Sequence, residues 1–186
     1  MALWQTTRFR LDLTRPLVMG IVNNTPDSFS DGGHHHSVTA ALRHAEKLLK
    51  DGAHILDIGG ESTRPGSPAV PLEEEMRRVL PFVQAAVQFG VPISVDTYKA
   101  QVMQAVLDAG ADIINDVWAL RQPGAQSVVA NHPQCGVVLM HMHKTPQDMQ
   151  QTPMQGDAVA QVQNFLAQQT QALVALGVER QRIVWD

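Results

Sequence analysis

The chain has a single cysteine, Cys135, among 186 residues, so no disulfide can form within it. That thiol opens an apolar run and reads as small core filler. Charge is sparse as well. Asp, Glu, Lys and Arg make up 17% of the residues, the formal net charge is −4, and Lys and Arg never cluster. This argues against nucleic acid or an anionic membrane as the main partner and for small-molecule substrates. No stretch approaches the ~18 apolar residues of a membrane span, and the first eight residues lack an apolar core of signal-peptide length. A cytoplasmic protein is the expectation. Internal repeats, low-complexity tracts and composition shifts are also missing, so residues 1–186 read as one domain. At 44% hydrophobic residues, the chain carries enough apolar material for a sizeable core.

What is present is a series of six short, β-branched, apolar runs: Leu17–Asn23, His54–Asp57, Val91–Asp96, Ala111–Asn115, Gly136–His141 and Arg182–Asp186. Each ends on a polar residue able to bind a ligand, and a helix-like stretch follows each of the first five. Val38, Ala41, Leu42, Ala45, Leu48 and Leu49 recur at helical spacing, with Ser37 placed as an N-cap and Gly52 just beyond the end. A second helix is predicted from Pro71, with Glu73, Glu74 and Glu75 in its first turn, where carboxylates favour the positive end of the helix dipole, and with a kink at Pro81. Others are predicted over Tyr98–Ala109, Pro123–Asn131 and Asp157–Leu176.

Strand, helix, strand order with right-handed crossovers gives a parallel sheet whose C-terminal strand ends share one rim. A closed (β/α)8 TIM barrel takes eight such units and typically about 250 residues. The expected fold class is therefore α/β, a TIM barrel truncated after its sixth parallel strand. An open doubly wound sheet is the competing architecture. It usually carries a Gly-rich nucleotide loop after its first strand, and no G-x-G-x-x-G occurs in this sequence.

Several loops and strand ends could carry chemistry. Asn23 to Gly33 is rich in turn-forming residues, yet could also form a lid hinged at Gly32 and Gly33. The Asn23 amide oxygen could then bind a hard cation, and Phe29 could cover an aromatic ligand. Gly59 to Ser67 sets one guanidinium, Arg64, and the hydroxyls of Ser62 and Thr63 among small or φ-fixed residues, a composition that lets backbone approach an anion. Asp96, Asn115 and Asp186 close three strands. Together they would make an acceptor-rich floor for a heterocycle with an edge of N–H donors, although Asp96 or Asp116 alone could simply cap the next helix. His141 and His143 could share a direction, but the other strand ends supply no further histidine for a metal site. His34, His35 and His36 read as a solvated loop, and Met140 as a wall able to pack on a flat ring.

The two loops together, Met19–Gly33 and Gly60–Gly66, resemble the two signatures of the dihydropteroate synthase family. The likeness extends through Ile93–Thr97, Ile113–Asp116 and Leu139–Met142. The resemblance implies a TIM-barrel transferase of folate biosynthesis. It would join 4-aminobenzoate to 6-hydroxymethyl-7,8-dihydropterin diphosphate, releasing pyrophosphate and 7,8-dihydropteroate. On that resemblance Asn23 would ligate Mg²⁺, Asp96, Asn115 and Asp186 would hold the pterin in a deep pocket, and Met140 would line it. Phe29 and Asp31, with Thr63, Arg64 and Pro65, would build the 4-aminobenzoate site where sulfonamides compete in the family. The resemblance leaves room for a homodimer at full length. Asn24 departs from the apolar residue usual in the family.

The family also continues past Asp186 with residues on a seventh and an eighth strand that hold pterin and pyrophosphate. The 186-residue polypeptide alone is accordingly expected to be inactive or nearly so. Two rivals keep a pterin site: a corrinoid-type methyltransferase domain, against which Ser62–Gly66 argues, and a non-catalytic pterin-binding module. A Schiff-base aldolase is disfavoured because the sixth run offers no lysine.

Overall fold

The computed structural model describes residues 2–23, 33–62, 67–143 and 154–186. Its elements, in chain order, are β1 (Leu3–Gln5), β2 (Arg10–Asp12), β3 (Met19–Asn23), α1 (Gly33–Lys50), β4 (Ile55–Gly59), α2 (Leu72–Ala86), β5 (Ile93–Asp96), α3 (Ala100–Asp108), β6 (Ile113–Asp116), α4 (Ala125–Asn131), β7 (Gly136–Leu139), α5 (Ala158–Ala175) and β8 (Ile183–Trp185). The six apolar runs are β3 to β8. They pair in parallel, in the order β3-β4-β5-β6-β7-β8. That order never reverses, so the sheet has no topological switch point, and the doubly wound alternative is excluded.

The sheet curves. Ile55, Ile113 and Val138 meet in one buried cluster together with Met19 from the first parallel strand and Val184 from the last, as side chains do inside a barrel. The opposite face is covered by the helices. Val22, Leu56, Ile58, Val95, Ile114, Val137 and Leu139 pack there with Ala41 and Ala45 of α1, Val79 and Phe82 of α2, Val106 of α3, Val129 of α4 and Leu166 of α5.

Sequence reading does not anticipate the first element, an antiparallel hairpin of β1 and β2. Two three-residue strands give too little alternation to register as a pattern. The hairpin closes the N-terminal end of the barrel. Trp4 joins the interior cluster, with Leu11 packed against it, and its indole N–H donates to the Arg182 carbonyl at 2.9 Å. Arg8 grips the fully buried Asp112, donating from Nε to Oδ1 at 2.9 Å and from Nη2 to Oδ2 at 2.6 Å. Arg182 is itself buried and donates to the carbonyls of Cys135 and Val129. Cys135 is core, as expected.

Three local expectations need correction. α1 begins at Gly33, so Ser37 does not precede the helix, and His34 to His36 lie within its span rather than in a loop. α2 is one helix with Pro81, the site of the expected kink, inside it. β4 extends through Gly59, two residues past the predicted end, and Asp57 is therefore an interior strand residue. The α5 start is as expected, with Asp157 Oδ1 accepting from the Ala160 N–H at 3.1 Å. Among the described residues no helix is long and apolar enough to cross a membrane.

Candidate active site

Parallel pairing aligns Asn23, Gly59, Asp96 and Asn115 as successive partners across β3, β4, β5 and β6. Side chains in one such row point to the same side of the sheet. The side is fixed by Ile55 and Ile113, which lie in the interior cluster four residues before Gly59 and two before Asn115. The row therefore faces the barrel interior at its C-terminal mouth. A Cβ built on Gly59 would sit 3.1 Å from Asn23 Oδ1 and 4.0 Å from Asp96 Cβ. A side chain at this position would crowd the Asn23 carboxamide, which would have to shift by a few tenths of an ångström.

One layer deeper, Asp57 pairs with Ser94. Asp57 is 6% exposed and Ser94 fully buried, and Asn115 Nδ2 donates to Asp57 Oδ2 at 3.2 Å. Three polar atoms of this cluster, Asp57 Oδ1, Ser94 Oγ and Asp96 Oδ1, are occluded and lack a hydrogen-bond partner within the protein. Unpaired buried polar atoms cost about 1–3 kcal/mol each, so three of them side by side on β4 and β5 set this cluster apart as a candidate site.

Asp186 follows β8, its N–H donating to the Leu139 carbonyl at 3.0 Å. Its carboxylate is close enough to Asp57 to raise that group's pKa. The main cause of the rise is burial, opposed by the adjacent Ser94 hydroxyl, which falls short of hydrogen-bond geometry, and by the Asn115 amide. The Asp96 carboxyl is pushed well above the usual carboxylate range, first by burial and then by the negative charges of Asp57, Asp116, Glu75 and Glu61. The mouth is thus an acidic cavity that favours N–H donors and developing positive charge. Met140 stands part-exposed just past β7 on the same rim.

Of the predicted site residues, the structure brings together Asn23, Asp96, Asn115 and Asp186 on one rim. Phe29, Asp31, Thr63, Arg64 and Pro65 lie outside the described residues, as does Gly32, half of the predicted hinge. Asp116 faces away. Its carboxylate accepts the backbone N–H groups of Trp118 and Leu120, each at 2.8 Å, so it braces a turn rather than capping the next helix, whose N-cap is Gly124. The turn it holds contains Ala119 and Leu120 at φ 51° and 58°, an uncommon left-handed pair for residues with side chains. His141 packs edge-on against Phe165, ring centroids 4.9 Å apart. Among the described residues no group of three or more His, Cys, Asp or Glu is placed to hold a metal ion.

Sequence reasoning underrated Asp57 and missed Ser94. The available signal was period-two polarity, Asp57 then Gly59 on β4 and Ser94 then Asp96 on β5, which puts each pair on one face.

Comparison with known proteins gives the family and the fold. The profile of the family described as pterin binding enzyme matches residues 19–186. The chain is 48% identical over 185 residues to the dihydropteroate synthase of Neisseria meningitidis serogroup B, covering 98% of this chain and 65% of that relative. It superposes on the crystal structure of Burkholderia cenocepacia dihydropteroate synthase complexed with 7,8-dihydropteroate with a TM-score of 0.89 at 50% identity, covering 100% of this chain and 62% of that one. On the Xanthomonas albilineans dihydropteroate synthase with 4-aminobenzoic acid the TM-score is 0.86 at 52% identity, covering 95% and 63%.

Proposed function

The chain belongs to the pterin binding enzyme family, and from that we propose that its barrel mouth is the pterin site of a dihydropteroate synthase. The reaction joins 4-aminobenzoate to 6-hydroxymethyl-7,8-dihydropterin diphosphate and releases pyrophosphate and 7,8-dihydropteroate. The observation that carries the reading is the set of occluded, unpartnered acceptors at Asp57, Ser94 and Asp96, beside the Asn115 carboxamide. A 2-amino-4-oxo pyrimidine ring offers a matching edge of N–H donors.

In this reading Asp96, Asn115 and Asp186 hold the pterin, Asp57 supports Asn115 from below, and Met140 lines the wall. Departure of pyrophosphate leaves positive charge on the pterin methylene, and the carboxylates around the ring stabilise that charge as it develops. No general base is required, because a neutral aniline nitrogen is already nucleophilic. Phe29, Asp31, Thr63, Arg64 and Pro65 are assigned to the 4-aminobenzoate site, with Arg64 donating to anionic oxygens.

Asn23 fits the one role proposed for a metal. Its oxygen projects over Gly59 at the rim, a single hard neutral donor of the kind that suffices for Mg²⁺ when phosphate oxygens complete the shell. Mg²⁺ held there would neutralise charge on the leaving diphosphate. The reading places the reaction in the cytoplasm and leaves room for a homodimer.

Calorimetric titration with 6-hydroxymethyl-7,8-dihydropterin tests the assignment. One saturable site, weakened at least tenfold by Asp96→Asn, is expected. Absence of binding, or equal binding by the variant, would overturn it. A second titration with 4-aminobenzoate, in the presence of pterin, pyrophosphate and Mg²⁺, separates the synthase from a methyltransferase domain or a bare pterin module. Only the synthase takes up the second aromatic ligand.

A further inference from the structure

Behind the mouth lies a polar cluster whose members make no part of the proposed pterin contacts, though the charges of Glu61 and Glu75 are felt by Asp96. Glu61 immediately follows the two glycines at the end of β4, and Glu75 sits in the first turn of α2 with its side chain 1% exposed. The Lys99 ammonium, on a side chain 15% exposed, bridges both carboxylates, reaching Glu61 Oε2 at 2.5 Å and also contacting Glu75 Oε2. The remaining oxygens are taken as well. The Tyr98 hydroxyl donates to Glu61 Oε1 at 2.9 Å and the Thr97 hydroxyl to Glu75 Oε1 at 2.6 Å. Burial pulls the Lys99 pKa down, but the hydrogen bonds to Glu61 and Glu75 outweigh it and leave the group pushed up to about 12.

Locally, the Lys99 ammonium lies over the ring of its neighbour Tyr98, 4.4 Å from the centroid, but the helix itself gives Lys99 no support. It occupies the N-cap position of α3 without making a side-chain cap, and a cation at a helix N-terminus is disfavoured by the dipole. What it does accomplish is to tie the exit of β4 to α2 and to the residues that follow Asp96. The same exit is held at two more points. Arg78 Nη1 donates to the Gly60 carbonyl at 2.9 Å, and Ser67 Oγ donates to Ser62 Oγ at 3.0 Å across the base of the loop. Glu75 is anchored in a helix and Glu61 in a loop. If the ammonium is removed, two buried carboxylates repel, and Glu61 is the one free to move.

We propose that Lys99 is a positioning residue, setting the root of the β4–α2 loop relative to Asp96 and so governing uptake of the aromatic amine rather than of the pterin. This rests on the dihydropteroate synthase reading for its substrates, though not for its structural half. The test compares Lys99→Met and Lys99→Arg in the full chain. Pterin affinity, measured on the high-pH plateau where Asp96 is charged in every variant, should stay within twofold of the parent in both. Affinity for 4-aminobenzoate, with pterin, pyrophosphate and Mg²⁺ present, should fall at least tenfold in Lys99→Met and return to within threefold in Lys99→Arg.

Amide hydrogen exchange at Gly60 to Ser62 should quicken at least tenfold in Lys99→Met, with β6 and β7 unchanged. Should Lys99→Met fail to fold, Glu61→Gln carries the same comparison. Undiminished 4-aminobenzoate binding, equal loss of both ligands, or exchange raised uniformly would overturn the proposal. If the parent chain takes up no pterin, the functional reading falls, while the exchange comparison still decides whether Lys99 anchors the loop root.

Discussion

Asn115 on β6 donates from Nδ2 to Asp57 Oδ2 on β4 at 3.2 Å, reaching past the intervening strand β5. The bond works only because the sheet curves, and it fixes which end of the Asn115 amide faces the mouth. With Nδ2 engaged below, the amide oxygen is presented as an acceptor beside Asp96. Asn115→Ala removes that acceptor and leaves Asp57 with neither oxygen hydrogen-bonded to Asn115. Pterin affinity should fall about 5- to 150-fold, the cost of roughly 1–3 kcal/mol for a lost buried hydrogen bond, as measured by titration. Asn115→Asp should be worse, since it sets another carboxyl group against Asp57.

Pterin binding should gain with pH. The free-state Asp96 carboxyl is held well above the usual carboxylate range by burial and by Asp57, and a bound ring's N–H donors favour its charged form. Between the bound and free pKa values, binding therefore releases a proton. Affinity should rise by up to about tenfold per pH unit through that window and level off above the free-state value. Titrations across a pH series should show this slope in the parent chain and its loss in Asp96→Asn.

Asp116 should leave a mark of opposite sense on stability. Burial raises its pKa to about 6, despite the hydrogen bonds it accepts from the Trp118 and Leu120 backbone. A carboxyl with a raised folded-state pKa binds more protons folded than unfolded, so its contribution to stability declines as pH rises from near 4 to near 6. Denaturant midpoints across that range should show the decline, and Asp116→Asn should flatten it. Asp116→Ala should cost about 2–4 kcal/mol near pH 4 and progressively less as pH rises toward 6, because two buried N–H groups lose their acceptor and the left-handed Ala119–Leu120 turn loses its brace.

Gly60→Ala should disturb the loop root from the other side. The added Cβ would lie 2.5 Å from Val79 Cγ2 and 3.1 Å from Glu75 Cγ, and Val79 is fully buried in the core. Overpacking of this kind typically costs about 1–3 kcal/mol. A lowered thermal midpoint together with weakened 4-aminobenzoate binding is the expected pair of readouts.

The β3–β8 series was legible because each strand is an apolar run with a polar terminus, and because helical spacing fills the gaps between runs. The rim followed from that: Asn23, Asp96, Asn115 and Asp186 are strand-terminal in sequence and convergent in space. Asp57 was misjudged because the predicted strand ended on it. Only the pairing of Ile58 with Val95 and of Gly59 with Asp96 shows that the strand runs on. The Lys99 cluster was illegible for a different reason. Its members, Glu61, Glu75 and Lys99, lie on three separate segments, and on a sequence each reads as an ordinary solvated charge. The β1–β2 hairpin escaped because its strands are too short to carry a period.

The indole of Trp4 and the carbonyl of Arg182 lie 178 residues apart along the chain. A ribosome adding about 5–20 residues per second would deliver the tryptophan roughly 10–40 seconds before its acceptor. Throughout that interval the floor of the barrel lacks the stave that carries Arg182, and Leu11 and Trp4 have only part of their final company. The nascent chain therefore spends its synthesis with a greasy underside on view, and a chaperone that shields it would act at this end of the molecule, far from the chemistry.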